Sequence, residues 1–170
     1  VRRNIRHAAD VFVSLSDNIQ ETFGLTPVEA MAAGLPCVVS DWDGYRDTVR
    51  DGVDGFCIPT AMPPPGLGAD LAARHEDGID TYDRYIGHAS LFVSVDIAAA
   101  GEACARLASD TDLRRRMGAA GRERARAEFD WSNIVRRYEA LWTELAARRA
   151  QVPEARPALA GLAHPRRADP

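Results

Sequence analysis

Over residues 11–58 short apolar runs alternate with helical segments, and the links between them are only a few residues long. Val11-Phe-Val-Ser-Leu15 is a short apolar run that predicts a buried strand. Thr26-Pro-Val-Glu29 predicts a helix start, with Thr26 as cap, Pro27 at the first helical position and Glu29 completing a capping box. Gly34 stops that helix, and Pro36 forbids its continuation. Cys37–Ser40 reads as a second strand, Tyr45–Arg50 as a short helix halted near Gly52, and Gly55–Ile58 as a third strand. Strand, helix, strand, helix, strand with short links implies right-handed crossovers and a parallel sheet. The fold class is therefore α/β, a Rossmann-like parallel sheet followed by a helical C-terminal part. Loop 16–26, loop 41–44 and the segment after Ile58 then emerge on one edge of the sheet, where open α/β sheets bind ligands.

The pattern breaks at Met62-Pro-Pro-Pro-Gly-Leu-Gly68. Residues 61–95 read as an irregular insertion with one short helix over 69–74. From 96 the chain is helical, with one stripe at Ile97, Ala100, Cys104 and Leu107 and a weaker one at Leu113, Met117 and Ala120. The clearest helix, about 131–148, repeats Ile134, Tyr138, Leu141, Trp142 and Leu145, with Asp130 as its cap. Residues 2–9 read as the end of a helix. Residues 151–170 hold four Pro and five Ala with no stripe and read as a disordered tail.

Composition excludes several classes. With 46% apolar and 27% charged residues the 170-residue chain is not disordered, and it has no apolar run that spans a membrane. All 21 basic residues are arginine. Residues 1–100 hold 7 Arg against 15 acids, giving −8, while residues 101–170 hold 14 against 10, giving +4. A net acidic chain is a poor partner for nucleic acid. The Arg-rich stretch 114–126 is most simply a solvated helix face. Cys37, Cys57 and Cys104 lie 20 and 47 apart, which fits neither a zinc site nor a disulfide framework and points to a reducing cytoplasm. Cys37 and Cys57 read as small apolar strand residues. His75, Glu76, Asp77, Asp80, Asp83 and His88 match no metal-ligand spacing, so no metal is expected. Val1 runs at once into a helical pattern, the expectation being a start truncated from a longer protein.

Glu21 and Glu29 stand on either side of a helix entrance. Between them Gly24 lets backbone come close to a ligand. The free N–H groups of the first helical turn, with the helix dipole, suit a phosphate. A carboxylate beside that phosphate cannot bind it, but can accept two hydrogen bonds from a vicinal diol. Diols on both sides of a diphosphate describe a nucleotide sugar. Each residue alone has a plainer reading: Glu29 as half of a capping box, Glu21 as a solvated loop charge, Phe23 and Leu25 as core.

Ala9-Asp-Val-Phe-Val-Ser-Leu-Ser16, then Glu21-Thr-Phe-Gly-Leu-Thr-Pro-Val-Glu29-Ala-Met-Ala-Ala-Gly-Leu-Pro-Cys-Val-Val-Ser40, closely resembles the signature of the group 1 retaining glycosyltransferases of GT-B fold. Gly55-Phe-Cys-Ile-Pro59, Leu113-Arg-Arg-Arg-Met-Gly118 and Phe129-Asp-Trp131 resemble the family's later elements, so the likeness covers roughly residues 8–60 and 96–146. It implies two Rossmann-like domains facing across a cleft, with this chain part of the donor-binding one. Residues 1–60 would be its βαβαβ part, 61–95 an insertion, 96–150 its closing helices and 151–170 a tail. By resemblance Glu29 grips the ribose hydroxyls and Glu21, the catalytic candidate, faces the donor sugar. The N–H groups of Phe23 and Gly24 would meet the sugar, and those of Leu25 and Thr26 the diphosphate.

The resemblance further implies transfer of a hexosyl unit from a nucleotide-diphosphate sugar with retention, without a cofactor and without a protein nucleophile. The partners implied are a nucleotide sugar, a carbohydrate or lipid-linked acceptor and a missing N-terminal domain. Without that domain the fragment alone is expected to be inactive and to self-associate through Tyr138, Trp142 and Leu145. Cell-wall or polysaccharide biosynthesis in the cytoplasm, with at most a peripheral contact at the inner membrane face, follows from the same likeness. Two departures stand out. Tyr45 and Asp47 occupy positions where many relatives have a second glycine and a glutamate, which points to an altered sugar pocket. The family's upstream Arg/Lys phosphate pair has no counterpart in this lysine-free chain. The alternatives are a non-catalytic nucleotide-sugar-binding remnant or partner-docking module, and an unrelated flavodoxin-like domain.

Overall fold

A computed structural model describes residues 8–151. The chain divides into two compact units, residues 1–130 and 131–170. The first unit opens with β1 (Phe12–Ser14), α1 (Leu25–Ala33), β2 (Cys37–Ser40), α2 (Tyr45–Thr48) and β3 (Gly55–Ile58). These strands form one sheet in the order β1-β2-β3, all parallel, with Phe12 beside Cys37 and Cys37 beside Gly55. The bounds of β2 and β3 are those expected from the sequence. The three C-terminal strand ends share one edge, as parallel pairing requires.

Side chains alternate across a strand, and β2 uses that alternation to build two cores. Cys37 and Val39 join Ala30, Met31, Leu35, Tyr45 and Val49 on the face covered by α1 and α2. Val38 joins Ile58 and the residues Ala100, Ala103 and Leu107 of α5 (Ile97–Ser109) on the other. All four β2 residues are buried, which is why this strand reads as apolar without alternation. Each fully buried Leu or Met contributes about 1.5–3 kcal/mol.

The helix α6 (Thr111–Glu128) reaches both cores, through Met117 and Ala125. It crosses the C-terminal end of α1 so closely that a Cβ on Gly118 would stand 2.1 Å from the Gly34 carbonyl oxygen. The solvated face expected for the arginines of 114–126 is only partly found. Arg114 donates to the Leu107 carbonyl oxygen at 2.6 Å, Arg122 to that of Ala33 at 2.6 Å, and Arg124 to that of Asp47 at 2.8 Å. All three carbonyls lie in the last turn of a helix, where a cation meets unsatisfied acceptors and the negative dipole end.

Residues 61–95 are more regular than expected. The segment is closed by β4 (Thr60–Ala61), paired antiparallel with β5 (Ser94–Val95), and holds two helices, α3 (Ala69–Glu76) and α4 (Tyr82–Ser90), where one was predicted. The Thr81 hydroxyl accepts from the Arg84 N–H and caps α4. The hairpin is held by charge and rings, not by an apolar stripe. Arg74 grips the buried Asp80 carboxylate at 2.7 and 3.2 Å, and the His75 ring stacks on Tyr85 at 5.3 Å. The second unit's described part is one helix, α7 (Trp131–Gln151), with the expected apolar repeat and a Tyr138–Trp142 ring contact at 6.0 Å. The expectations for residues 2–7 and 152–170 lie outside the described residues.

Candidate functional site

The loop between β1 and α1 lies against the segment that leaves β2. The Ser40 hydroxyl donates to the Ser16 carbonyl at 2.5 Å, and the Trp42 indole N–H to that of Asn18 at 3.0 Å. Asn18 is the centre of the loop: its carbonyl also accepts from the Glu21 N–H at 3.1 Å, and its side chain from the Gln20 N–H at 2.9 Å. That side-chain bond is an Asx-type turn. The loop therefore reaches Glu21 already folded, and Glu21 is half-buried.

Helix α1 begins at Leu25, two residues before the expected start at Pro27. The N-cap is Gly24 at φ 77°, ψ 69°, with no side-chain cap bond. The capping-box expectation is thereby corrected. Thr26 stands inside the first turn, Pro27 is the third helical residue, and Glu29 is the fifth, in the second turn. The physical reason is that the left-handed turn at Gly24 supplies the entry geometry that a capping side chain would otherwise supply. Among the described residues nothing accepts from the backbone N–H groups of Phe23, Gly24, Leu25 or Thr26. Pro27 has none. Four unpaired donors at the positive end of a helix form a place for an anion. Phe23 is 44% exposed and meets Phe129 edge-on at 5.9 Å, while Leu25 is 67% exposed, so neither is the core residue of the plainer reading. Glu29 is exposed on α1.

Tyr45 stands where many relatives have a second glycine. It is 2% exposed, inside the core under α1. Its hydroxyl and that of Ser14 lie 2.8 Å apart, and a Cβ on Gly24 would stand 2.4 Å from two of its ring carbons. Next to it, a Cβ on Gly44 would stand 2.4 Å from the Phe23 backbone nitrogen. Ser14, Ser40, Trp42 and Tyr45 thus support the loop, a role that residue-type reasoning missed. The available signal was topological: a parallel sheet sets the segment after β2 beside the one after β1.

Two grooves lie away from Glu21 and Glu29. One, of about 740 Å³, is lined by Asp41, Arg46, Val49, Arg50, Asp51, Cys57 and Arg124. Its guanidiniums are committed: Arg46 to Asp41 at 2.9 Å, Arg50 to the buried Asp54 at 2.7 and 2.8 Å, and Arg124 to Asp54 at 3.5 Å. The Asp54 hydrogen bond, ahead of its charge, raises the Arg50 pKa further. The other groove, about 460 Å³, lies on α6 beside Arg122 and Arg126. The helix start, not the larger hollow, carries unpaired donors. Burial, then Asp54 and Cys57, pushes the Cys37 thiol to about 12; burial, then neighbouring carboxylates, pushes Cys57 to about 11. Neither is an activated nucleophile at neutral pH. Among the described residues no group of three His, Cys, Asp or Glu is placed to hold a metal ion. No helix among them is long and apolar enough to cross a membrane.

Residues 3–64 match the family model described as glycosyl transferases group 1. Over 127 residues, 72% of this chain and 25% of the relative, it is 33% identical to a phosphatidyl-myo-inositol mannosyltransferase of Mycobacterium leprae. It is 31% identical to an alpha-maltose-1-phosphate synthase of Mycolicibacterium smegmatis over 85% of this chain and 30% of that one. A D-inositol 3-phosphate glycosyltransferase of Geodermatophilus obscurus is 46% identical over 39% of the chain and 13% of the relative. The chain thus spans about a quarter to a third of the first two relatives. The family match runs through β1, the Glu21 loop, α1, β2 and β3, the same stretch that forms the parallel sheet. On that shared ground the chain belongs to the group 1 glycosyltransferases.

Proposed function

We propose that this chain is the donor-binding part of a glycosyltransferase that moves a hexosyl unit from a nucleotide-diphosphate sugar to an acceptor with retention. The observation that supports it most is the row of unpaired N–H groups from Phe23 to Thr26 at the Gly24 turn, between Glu21 and Glu29. The Leu25 and Thr26 amides meet the diphosphate, and those of Phe23 and Gly24 meet the sugar. Glu29 accepts from the ribose diol, and Glu21 accepts from a hydroxyl of the donor sugar. When the bond from the anomeric carbon to the phosphate oxygen breaks, negative charge grows on the diphosphate, where the amides and the helix dipole stabilise it. The acceptor hydroxyl attacks from the face that the diphosphate leaves. Its proton passes to a leaving phosphate oxygen, so atoms and charge balance without a protein nucleophile.

The acceptor is met by a second domain facing this one, and this part alone does not turn over. Two relatives' names join sugar transfer to an inositol-containing compound, which supports a carbohydrate or lipid-linked acceptor. Placement in the cytoplasm, peripheral to a membrane, and self-association through the apolar repeat of α7 complete the reading. Calorimetric titration of the chain with uridine, guanosine and adenosine diphosphate sugars tests it. Saturable binding is expected, weakened tenfold or more in Glu29→Gln. A folded chain that binds none of them overturns the proposal.

A further inference from the structure

We infer that Tyr45 is a positioning residue for donor binding, acting through the backbone of Gly24; this rests on the donor site proposed above. The Tyr45 ring occupies the space into which any side chain at position 24 would project, 2.4 Å from where a Cβ would be. One Hα of Gly24 therefore lies against the Cδ1–Cε1 edge of the ring. The ring is held at both ends: its hydroxyl lies 2.8 Å from that of Ser14 on β1, and the Tyr45 backbone N–H donates to the Trp42 carbonyl at 3.0 Å. Trp42 in turn holds the loop through Asn18. The end of β1, the start of α2 and the start of α1 thus meet on one aromatic ring.

What the ring fixes is an angle. Glycine at φ 77° has a wide basin and no side chain to hold it there. The N–H vectors of Gly24 and Leu25 turn with that angle. An oxyanion site is effective only when its donors are aimed before the ligand arrives. Tyr45 is 2% exposed, so its effect passes through Gly24.

The test compares Tyr45→Phe, which keeps the ring, with Tyr45→Leu, which removes it. In the proton spectrum one Gly24 Hα is expected to be displaced by the ring current in the wild type and in Tyr45→Phe, and to lose that shift in Tyr45→Leu. Below the melting temperature of each variant, Tyr45→Phe binds a nucleotide-diphosphate sugar within about threefold of wild type, and Tyr45→Leu binds tenfold or more weakly. A role confined to stability lowers the melting temperature of Tyr45→Leu and leaves its affinity unchanged; that result overturns the proposal, as does a wild-type Gly24 Hα without the shift. Should Tyr45→Leu not fold, Tyr45→Met supplies a ring-free side chain that adapts to the same space. A wild-type chain that binds no nucleotide sugar removes the donor site itself, whereas wild-type binding matched by a ring-free variant removes only the role of Tyr45.

Discussion

Gly24 is where backbone freedom and close approach coincide. A Cβ at this position has an unfavourable φ and collides with the Tyr45 ring. The left-handed conformation alone costs an alanine about 1–2 kcal/mol. Moving a buried ring adds to that. Gly24→Ala is expected to lose about 2 kcal/mol or more, read as a lowered midpoint in urea, and to weaken nucleotide-sugar binding beyond that loss. Equal stability in both proteins would remove the ring contact from the account. Glu29 shows the limit of residue-type reading. Thr26 and Glu29 have the spacing of a capping box, but the left-handed turn at Gly24 starts the helix two residues early. Glu29 therefore stands in the second turn of α1, outside the capping position that its spacing from Thr26 predicts.

Among the elements, β2 and β3 were legible to the residue because each is a short apolar run bounded by Pro36 and Gly55. The hairpin of α3 and α4 was not. Its stability comes from one buried carboxylate, two arginines and a ring stack, which leave no apolar period to read. That origin has a pH signature. The Arg74 hydrogen bond, ahead of the charges of Arg74 and Arg84, holds the Asp80 pKa below its usual value of 3.8. A lowered acid pKa in the folded chain stabilises above the unfolded value and is lost as pH falls through the folded one. The hairpin is therefore expected to exchange amide hydrogens faster below about pH 4, while Asp80→Asn exchanges fast at neutral pH as well. Acid-resistant protection of α4 would contradict this. The α1–α6 crossing was half-legible: the glycines are visible in the sequence, but not that Arg122 closes α1. Arg122→Ala leaves the last turn of α1 without its cation and is expected to cost about 0.5–2 kcal/mol in a denaturant titration. An unchanged midpoint would deny Arg122 that role.

In the first unit as a whole, a three-strand sheet is filled from both faces and left open at one edge to support a loop. The apolar pattern predicts the two faces, since β2 must be covered on both sides. Leu107, fully buried on the face of α5 that packs with Val38 of β2, is the measure of that packing, and Leu107→Ala is expected to cost about 2–5 kcal/mol of global stability. The edge proposed for the donor follows from strand order alone, but its supports do not, because Ser40 and Trp42 act through loop carbonyls and Tyr45 against one glycine. The most direct measurement is a nitrogen-15 amide spectrum of the chain titrated with a nucleotide-diphosphate sugar. Shifts that saturate together at Phe23, Gly24, Leu25 and Thr26 are the expected result. Shifts confined to the groove around Arg46 and Arg50, with those four amides unmoved, would contradict the donor site at the start of α1.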